Sequence, residues 1–445
     1  MKAETIKLVR EAGVVGAGGA GFPSHVKIAA EAEFIIINGA ECEPLLRVDQ
    51  QLMAARAEQL IKGIEAVMEA TGASRAFIAL KYKYKEAIEV LTEATAGKPV
   101  EVFTLGDFFP AGDEQVLVYE VTGRVVPEGG IPLKVGCVVT NVETAINIAN
   151  AIEGIPVTET YLTVTGEVEQ PVTLKLPIGT SISEALALAG VKDMQNKAVI
   201  DGGPMMGPVV PDVSQPVTKV TKGLIVLPAG HKLIVSKSLP WETVVKRSRS
   251  VCIQCSMCTE VCPRHLLGHR LAPHKIMRGL AWMRPNEDTK TALLCCECGA
   301  CELYGCPMQL SPRQVNAAIK RELGKQGIKW ASSDNSTNVS IVREYRKIPS
   351  KRLIARLGLT AYDQPAPLSE ETYVPRLVRI PLRQHIGAPG IPVVHVGQKV
   401  QKGDLVAAIP ESALGANVHA SINGTVTAIK DYVEIESDGE RGGES

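Results

Sequence analysis

The sequence predicts a multidomain α/β fold that carries a short cysteine-rich segment and ends in a β-rich module. Three observations carry that expectation. At 445 residues the chain is too long for one typical core, so two to four domains are expected. Helical and strand patterns alternate through its first half, and from about Arg379 short strands separated by glycine turns take over. Between these regions, nine of the eleven cysteines fall within residues 252–306; only Cys42 and Cys137 lie outside.

Composition narrows the function. Forty-eight basic residues balance 48 acidic ones, and no basic run has interleaved aromatics, so a nucleic-acid partner is not expected. The basic stretch from Arg343 to Arg356 reads as a solvated helix face or linker. No segment reaches the roughly 18 uncharged apolar residues of a membrane span. The N-terminal "MKAETIKLVREAGVV" lacks a signal-peptide core, which leads us to expect a soluble, cytoplasmic protein. In that compartment grouped thiols point to metal ligands rather than disulfides.

In chain order, "AETIKLVREAG" has apolar residues at helical spacing. It leads into "GVVGAGGAGFPSHVK", which contains Gly16-x-Gly18-x-x-Gly21. A dinucleotide fingerprint needs a strand before such a loop, and here a helix precedes it, so that reading fails on context. Glycines still let backbone N–H groups approach an anion, Pro23-Ser24 can open a helix, and Lys27 adds a cation one turn on. The strand "FIIIN" (Phe34 to Asn38) follows, then "NGAECEP", "FPAGDEQ" from Phe109, and "VVTNVETAINIANAI" from Val138. Residues 160–193 give two strands with β-branched alternation and an Ala/Leu helix capped by Ser181 or Ser183, a β-grasp pattern. For the Met pair in "DGGPMMG" (Asp201 to Gly207), core filling is the plainer reading and cofactor contact the alternative.

The first cysteine group is Cys252, Cys255, Cys258 and Cys262, followed by Pro263. This is the C-x2-C-x2-C-x3-C-P run of bacterial ferredoxins. The second is Cys295, Cys298, Cys301 and Cys306, followed by Pro307, with one extra residue before the last cysteine. In two-cluster ferredoxins the fourth cysteine of each run ligates the other cluster. By that rule one 4Fe–4S cluster takes Cys252, Cys255, Cys258 and Cys306, and the other takes Cys295, Cys298, Cys301 and Cys262. Cys296 breaks the spacing and reads as a bystander. Zinc, the alternative, usually shows two separated C-x2-C pairs, which two triplets each followed by Cys-Pro fit poorly. His265, His269 and His274 between the groups read as polar helix surface, and "SPRQVNAAIKRELGK" as an amphipathic helix behind the second cluster.

Taken together, the glycine loop, "NGAECEP", "FPAGDEQ" and the Asn-x-Glu-Thr stretch resemble the flavin-binding fold of the NADH-oxidising subunit of respiratory complex I and of Rnf C subunits. The resemblance implies FMN and NADH contacts at Gly16, Gly18, Gly19, Gly21, Lys27, Asn38, Glu41, Glu43, Gly112, Asp113, Glu114, Asn141, Glu143 and Thr144. Ala40 stands where complex I carries an Asp. Residues from "RQHIGAPGIPVVHVGQKVQKGD" onward look like the barrel-sandwich hybrid of biotinyl and lipoyl domains. They lack the lysine-bearing hairpin of a carrier, so docking or structural use is expected.

Over essentially the whole chain, with "NGAECEPLLRVDQQLMA" and "VCPRHLLGH" among the nearest stretches, the combination is similar to the cobalamin reductases of propanediol-utilising bacterial microcompartments. Rnf C subunits share the parts, but there the barrel-sandwich precedes the flavin domain. The implied layout is an FMN/NADH domain over 1–155, a β-grasp (SLBB) domain over 156–235, and a ferredoxin-like helical domain with two 4Fe–4S clusters over 240–330. A linker over 331–375, a barrel-sandwich hybrid over 376–436 and a disordered tail over 437–445 complete it. The implied activity passes electrons from NADH through FMN and the clusters to a corrinoid. A cobalamin adenosyltransferase and shell proteins are the implied partners, and the microcompartment the implied location. Two alternatives stay open: an electron-transfer flavoprotein serving another acceptor, and a non-catalytic electron conduit of the shell.

Overall fold

A four-stranded parallel sheet forms the core of the N-terminal region. Its order runs from Val100–Leu105 through Arg75–Lys81 and Phe34–Gly39 to Cys137–Asn141. Ile35, Ile36 and Ile37 are all fully buried, as a strand covered on both faces requires. The helices Ala57–Thr71 and Val142–Ile152 cross on one face. Gly63 permits the close crossing, since a Cβ there would fall 1.9 Å from the Ala145 carbonyl. The architecture comes from a computed structural model, which describes residues 2–281, 287–331 and 338–438.

The glycine loop is entered from the helix Lys2–Glu11, not from a strand. The β-grasp follows: Glu159–Gly166 pairs antiparallel with Val172–Pro177 and parallel with Gly223–Pro228, which also pairs antiparallel with Lys197–Asp201. Ser181 caps the intervening helix Ile182–Leu188. Its hydroxyl accepts from the Glu184 N–H at 3.2 Å, while the Glu184 carboxylate accepts from the Ser181 N–H at 3.1 Å.

The cysteine segment is built from the helices Trp241–Val251, Pro273–Ala281 and Pro312–Lys325, with the thiols on the loops between. Farther on, the stretch expected as a linker is folded. Ile348–Pro349 pairs with Phe108–Phe109, and the helix Ser350–Leu357 buries Leu353, Ile354 and Leu357. Nor is the basic stretch simply solvated: Arg343 is 5% exposed and pairs with Glu120. The physical reason is an apolar stripe at helical spacing, which draws the stretch onto Phe109 and Val261.

The C-terminal module consists of two facing sheets. One is ordered Leu377–Pro381, Tyr432–Ser437, Gly424–Ile429, Lys399–Val400, and the other Ile391–Pro392, Leu405–Ala408, Val418–His419. Lys402 is committed to Glu159 at 3.0 Å. Ser437, expected in the tail, ends a strand; residues 439–445 of that tail lie outside the described residues.

Candidate flavin cavity and cysteine sites

A cavity of about 420 Å³ opens at the C-terminal ends of Phe34–Gly39 and Cys137–Asn141, within the roughly 300–1,000 Å³ typical of small-molecule sites. Gly18, Gly19, Asn38, Glu41, Glu43, Gly112, Asp113 and Asn141 line it, so eight of the fourteen expected flavin residues meet there. The other six support the walls or point elsewhere. Gly16 closes the loop on itself through its N–H to the Phe22 carbonyl at 2.9 Å. Gly21 has φ +72°, and a Cβ on it would press to 3.0 Å from His385. The Thr144 hydroxyl accepts from the Ala17 N–H at 2.9 Å and so holds the loop.

Lys27 departs from expectation. It donates to the Val139 carbonyl at 2.8 Å and pairs with Glu114 at 3.2 Å, so neither side chain faces the cavity. Its helix, Ser24–Ile28, is one short turn that turns the lysine onto the sheet. Glu143 is also turned away. It is 1% exposed, pairs with Lys222, and accepts from the Thr160 hydroxyl and the Tyr161 N–H at 3.4 Å each.

The lining carboxylates have structural duties. Glu41 accepts from the Asp49 N–H at 2.8 Å, the Gln50 N–H at 3.3 Å and the Gln50 side chain at 2.9 Å, fixing the start of the helix Val48–Ala55. Glu43 accepts from the Met205 and Met206 N–H groups at 2.8 and 2.9 Å and so anchors "DGGPMMG". Met205 is buried core, as the plainer reading expects, while Met206 is half exposed and lines the cavity. Asn38 donates to the Gly112 carbonyl at 2.8 Å, tying the acidic loop to "FPAGDEQ". Asp113 caps the helix Glu114–Thr122 and forms a buried pair with Arg264.

The two cysteine loops share a backbone. Positive φ occurs at the second and fourth residues after each first cysteine: Gln254 (56°) and Ser256 (59°), then Glu297 (59°) and Gly299 (79°). Non-glycine residues avoid this region, and its recurrence turns successive N–H groups into a concave nest of the kind that receives iron–sulfur clusters. Cys252, Cys255, Cys258 and Cys306 wall one cavity. Cys262 lies beside Cys295, and Cys301 faces both. N–H groups of Glu297 and Leu310 donate to the sulfurs of Cys295 and Cys306 at 3.4 and 3.3 Å. Burial pushes the Cys295 thiol up to about 11 and the Cys258 thiol up to about 12, so a bound cation must displace their protons. Cys298 and Cys296 also wall the flavin cavity, whereas Cys255 is exposed. Two of the three histidines are polar supports: His269 hydrogen-bonds the Val126 carbonyl at 2.9 Å and His274 the Thr259 hydroxyl at 2.7 Å. His269 is buried rather than on the surface expected for it.

Comparison with known proteins matches this geometry. Residues 9–150 match the Nuo51 FMN-binding domain, 161–209 the SLBB domain, 251–311 the 4Fe-4S dicluster domain, and 365–441 the RnfC barrel sandwich hybrid domain. The chain is 46% identical to cobalamin reductase PduS of Salmonella typhimurium, over 95% of this chain and 94% of that one. The chain belongs to the PduS cobalamin reductase family. The Citrobacter freundii PduS is likewise 46% identical, over 96% and 95% of the two chains. The C component of the proton-translocating ferredoxin:NAD(+) oxidoreductase complex of Clostridium ljungdahlii is 35% identical over 59% of this chain and 56% of its own. An NAD+-reducing NiFe-hydrogenase shares the fold, with a TM-score of 0.50 at 20% identity over 82% of this chain and 68% of that one.

The residues of this PduS-family chain fit the groups those domains imply. FMN has room at Gly19, where a Cβ would meet nothing within 4 Å, and backbone access at Gly18, where a Cβ would fall 2.9 Å from the Asn141 amide. Asp49 and Lys222 line the same cavity, and no motif signals them: Asp49 follows the acidic loop, and Lys222 comes from the β-grasp domain. Burial, with Glu41 close by, pushes the Asp49 carboxyl up to about 7; burial lowers the Lys222 ammonium to about 8. Only the fold brings Lys222 to this wall. No helix among the described residues is long and apolar enough to cross a membrane.

Proposed function

We propose that this chain is an NADH-dependent reductase that delivers single electrons to a corrinoid, cob(III)alamin to cob(II)alamin. One observation carries the order of events. Cys296 and Cys298, in the second cysteine group, wall the flavin cavity, whereas Cys255, in the first, is exposed. In this reading a cluster held by the second group would stand next to the flavin, and one held by the first would face the acceptor. FMN supplies conversion of a hydride into single electrons, and the clusters supply their conduction. The chain's own residues position and insulate. Thr144 holds the glycine loop, Asn141 caps the helix that carries Thr144, and Glu41 and Glu43 fix the acidic loop and "DGGPMMG".

The cluster ligands in this reading are Cys252, Cys255, Cys258 and Cys306 for the outer cluster, and Cys295, Cys298, Cys301 and Cys262 for the inner. The corrinoid acceptor rests on identity to the two PduS proteins over nearly the full chain. A cobalamin adenosyltransferase and microcompartment shell proteins are the partners this reading proposes. The test is anaerobic holoprotein, with iron, sulfide and flavin counted, mixed with NADH and hydroxocobalamin. Corrinoid reduction followed by absorbance is expected; intact flavin and clusters without it would sink the reading. The similarity to the Clostridium ljungdahlii protein favours a second reading, in which a protein acceptor replaces the corrinoid. A ferredoxin substituted in the same assay separates the two.

A further inference from the structure

The carboxylates Glu41, Glu43, Asp49 and Asp113 and the Lys222 ammonium line the flavin cavity, with Glu143 behind Lys222, and their hydrogen bonding is unequal. Glu41 accepts three N–H bonds. Glu143 is paired with Lys222 and accepts from Thr160 and Tyr161. Asp49 accepts from the Asn141 amide alone, at 2.8 Å on Oδ2, and its buried Oδ1 has no hydrogen-bond partner among the described residues. Asp49 lines the cavity together with Lys222, Glu41 and Asn141. A protonated carboxyl at Oδ1 would have a donor to offer the cavity, where an ionised one has an unsatisfied acceptor.

We propose that Asp49 is the proton-balancing residue of the flavin cavity, binding one proton when the ring accepts a hydride and releasing it as the electrons leave, with Lys222 beside it. This rests on the flavin reading above. The balance is complete. With FMN bound, hydride transfer would break the C–H bond of the nicotinamide and form an N–H bond on the ring, leaving one negative charge to be balanced. A solvent proton adds to the Asp49 carboxylate, so the charge of the cavity is unchanged. When two electrons leave singly toward the cysteine side, the ring proton and the Asp49 proton both return to solvent. Asp49 is the carboxylate that responds because Glu41 and Glu43 each accept two or more N–H bonds, Asp113 accepts two and is paired with Arg264, and Glu143 is paired with Lys222. A new negative charge nearby favours the protonated form of the least-satisfied acid. Burial and the Glu41 charge push that carboxyl up to about 7 against the opposing Lys222 charge and the Asn141 amide.

The experiment is potentiometric titration of protein-bound FMN between pH 6 and 8, below the range in which Lys222 loses its proton, with the absorbance of the reduced ring recorded. Above about pH 7 the native equilibrium constant for reduction should fall about 100-fold per pH unit, two protons per two electrons. In Asp49→Asn it should fall about tenfold, and a tenfold step is about 30 mV for a two-electron couple. The reduced ring should absorb as the anion in both. Asp49→Glu, which restores an acid, should recover the steeper dependence. Equal slopes in native protein and Asp49→Asn, or a neutral reduced ring in the native protein above pH 7, would overturn the proposal while leaving the flavin reading intact. Native protein that binds no FMN would overturn both.

Discussion

Removing the Arg264 guanidinium tests how the cysteine segment is locked to the flavin cavity. Arg264 stands two residues after Cys262, is 8% exposed, and forms its ion pair with Asp113 from the "FPAGDEQ" loop. Burial pushes the Asp113 carboxyl up, but the Arg264 charge and the N–H bonds outweigh it and hold the group below its ordinary value of 3.8. In Arg264→Met the stem still packs, but Asp113 keeps only its cap bonds from Gln115 and Val116, at 3.1 and 3.2 Å, and its bond from Cys296. Stranding one partner of a buried pair costs about 3–5 kcal/mol, and the surviving cap bonds put this case near about 3 kcal/mol. The assay is a double-mutant cycle with Asp113→Asn, read by urea titration of anaerobic holoprotein followed through flavin release. A coupling of about 2 kcal/mol or more is expected, since the two groups are in direct contact. The pH dependence has a definite sign. The native carboxyl, held low, contributes stability above pH 3.8 and loses it as pH falls through its lower folded value. In the variant, burial without the cation raises that carboxyl, so the deficit is largest at neutral pH and closes toward acid. Singles costing under about 1 kcal/mol each, with additive effects, would refute the idea that this pair carries the junction.

Two further outcomes are expected. Cys262→Ala should abolish the EPR signal of the cluster held by Cys295, Cys298 and Cys301, and Cys306→Ala that of the cluster held by Cys252, Cys255 and Cys258; the reverse pattern would mean uncrossed ligands. Burial lowers the Lys219 ammonium to about 7, so the unfolded chain takes up a proton that the fold does not as pH falls from about 10.5 toward 7. Native thermal stability should therefore rise between about pH 7.5 and 9.5, and Lys219→Met should flatten that rise; an unchanged rise would assign it to other groups.

Local spacing made the cysteine groups legible, because three thiols two residues apart describe one loop around one cluster whatever surrounds them. The failure of the dinucleotide reading was legible too, since a helix before the loop is a local fact. What the sequence hid were convergences. Lys27 has the spacing of a phosphate ligand, yet its short helix carries it onto the Val139 carbonyl. Glu143 sits in the Asn-x-Glu-Thr stretch, but the β-grasp domain brings Lys222 to it from 79 positions later and turns it inward. Cys296 falls out of the ligand spacing, and only the fold sets it against Asp113 at the cavity wall. Leu353 and Ile354 of the apolar stripe lay concealed in a run read for its charge, and Leu357 just past its end.

The place of the C-terminal module follows from what it touches rather than from where it falls in the chain. Its contacts to the flavin domain come from loops, not from strand ends next to the connecting segment. The Ile386 N–H donates to the Ala20 carbonyl at 3.2 Å, behind the glycine loop, and the Asn417 side chain donates to the Glu11 carbonyl at 3.3 Å. Lys219 of the β-grasp region donates to the Gly13 and Asn417 carbonyls at 2.7 Å each, joining three regions at one amine. The "RQHIGA" stretch thus buttresses the outer side of the loop whose inner side is Gly18 and Gly19. Such an interface is indifferent to the order of the parts, because any connection long enough to deliver the module would make the same bonds. The module can therefore follow the flavin domain in the chain and still stiffen that loop.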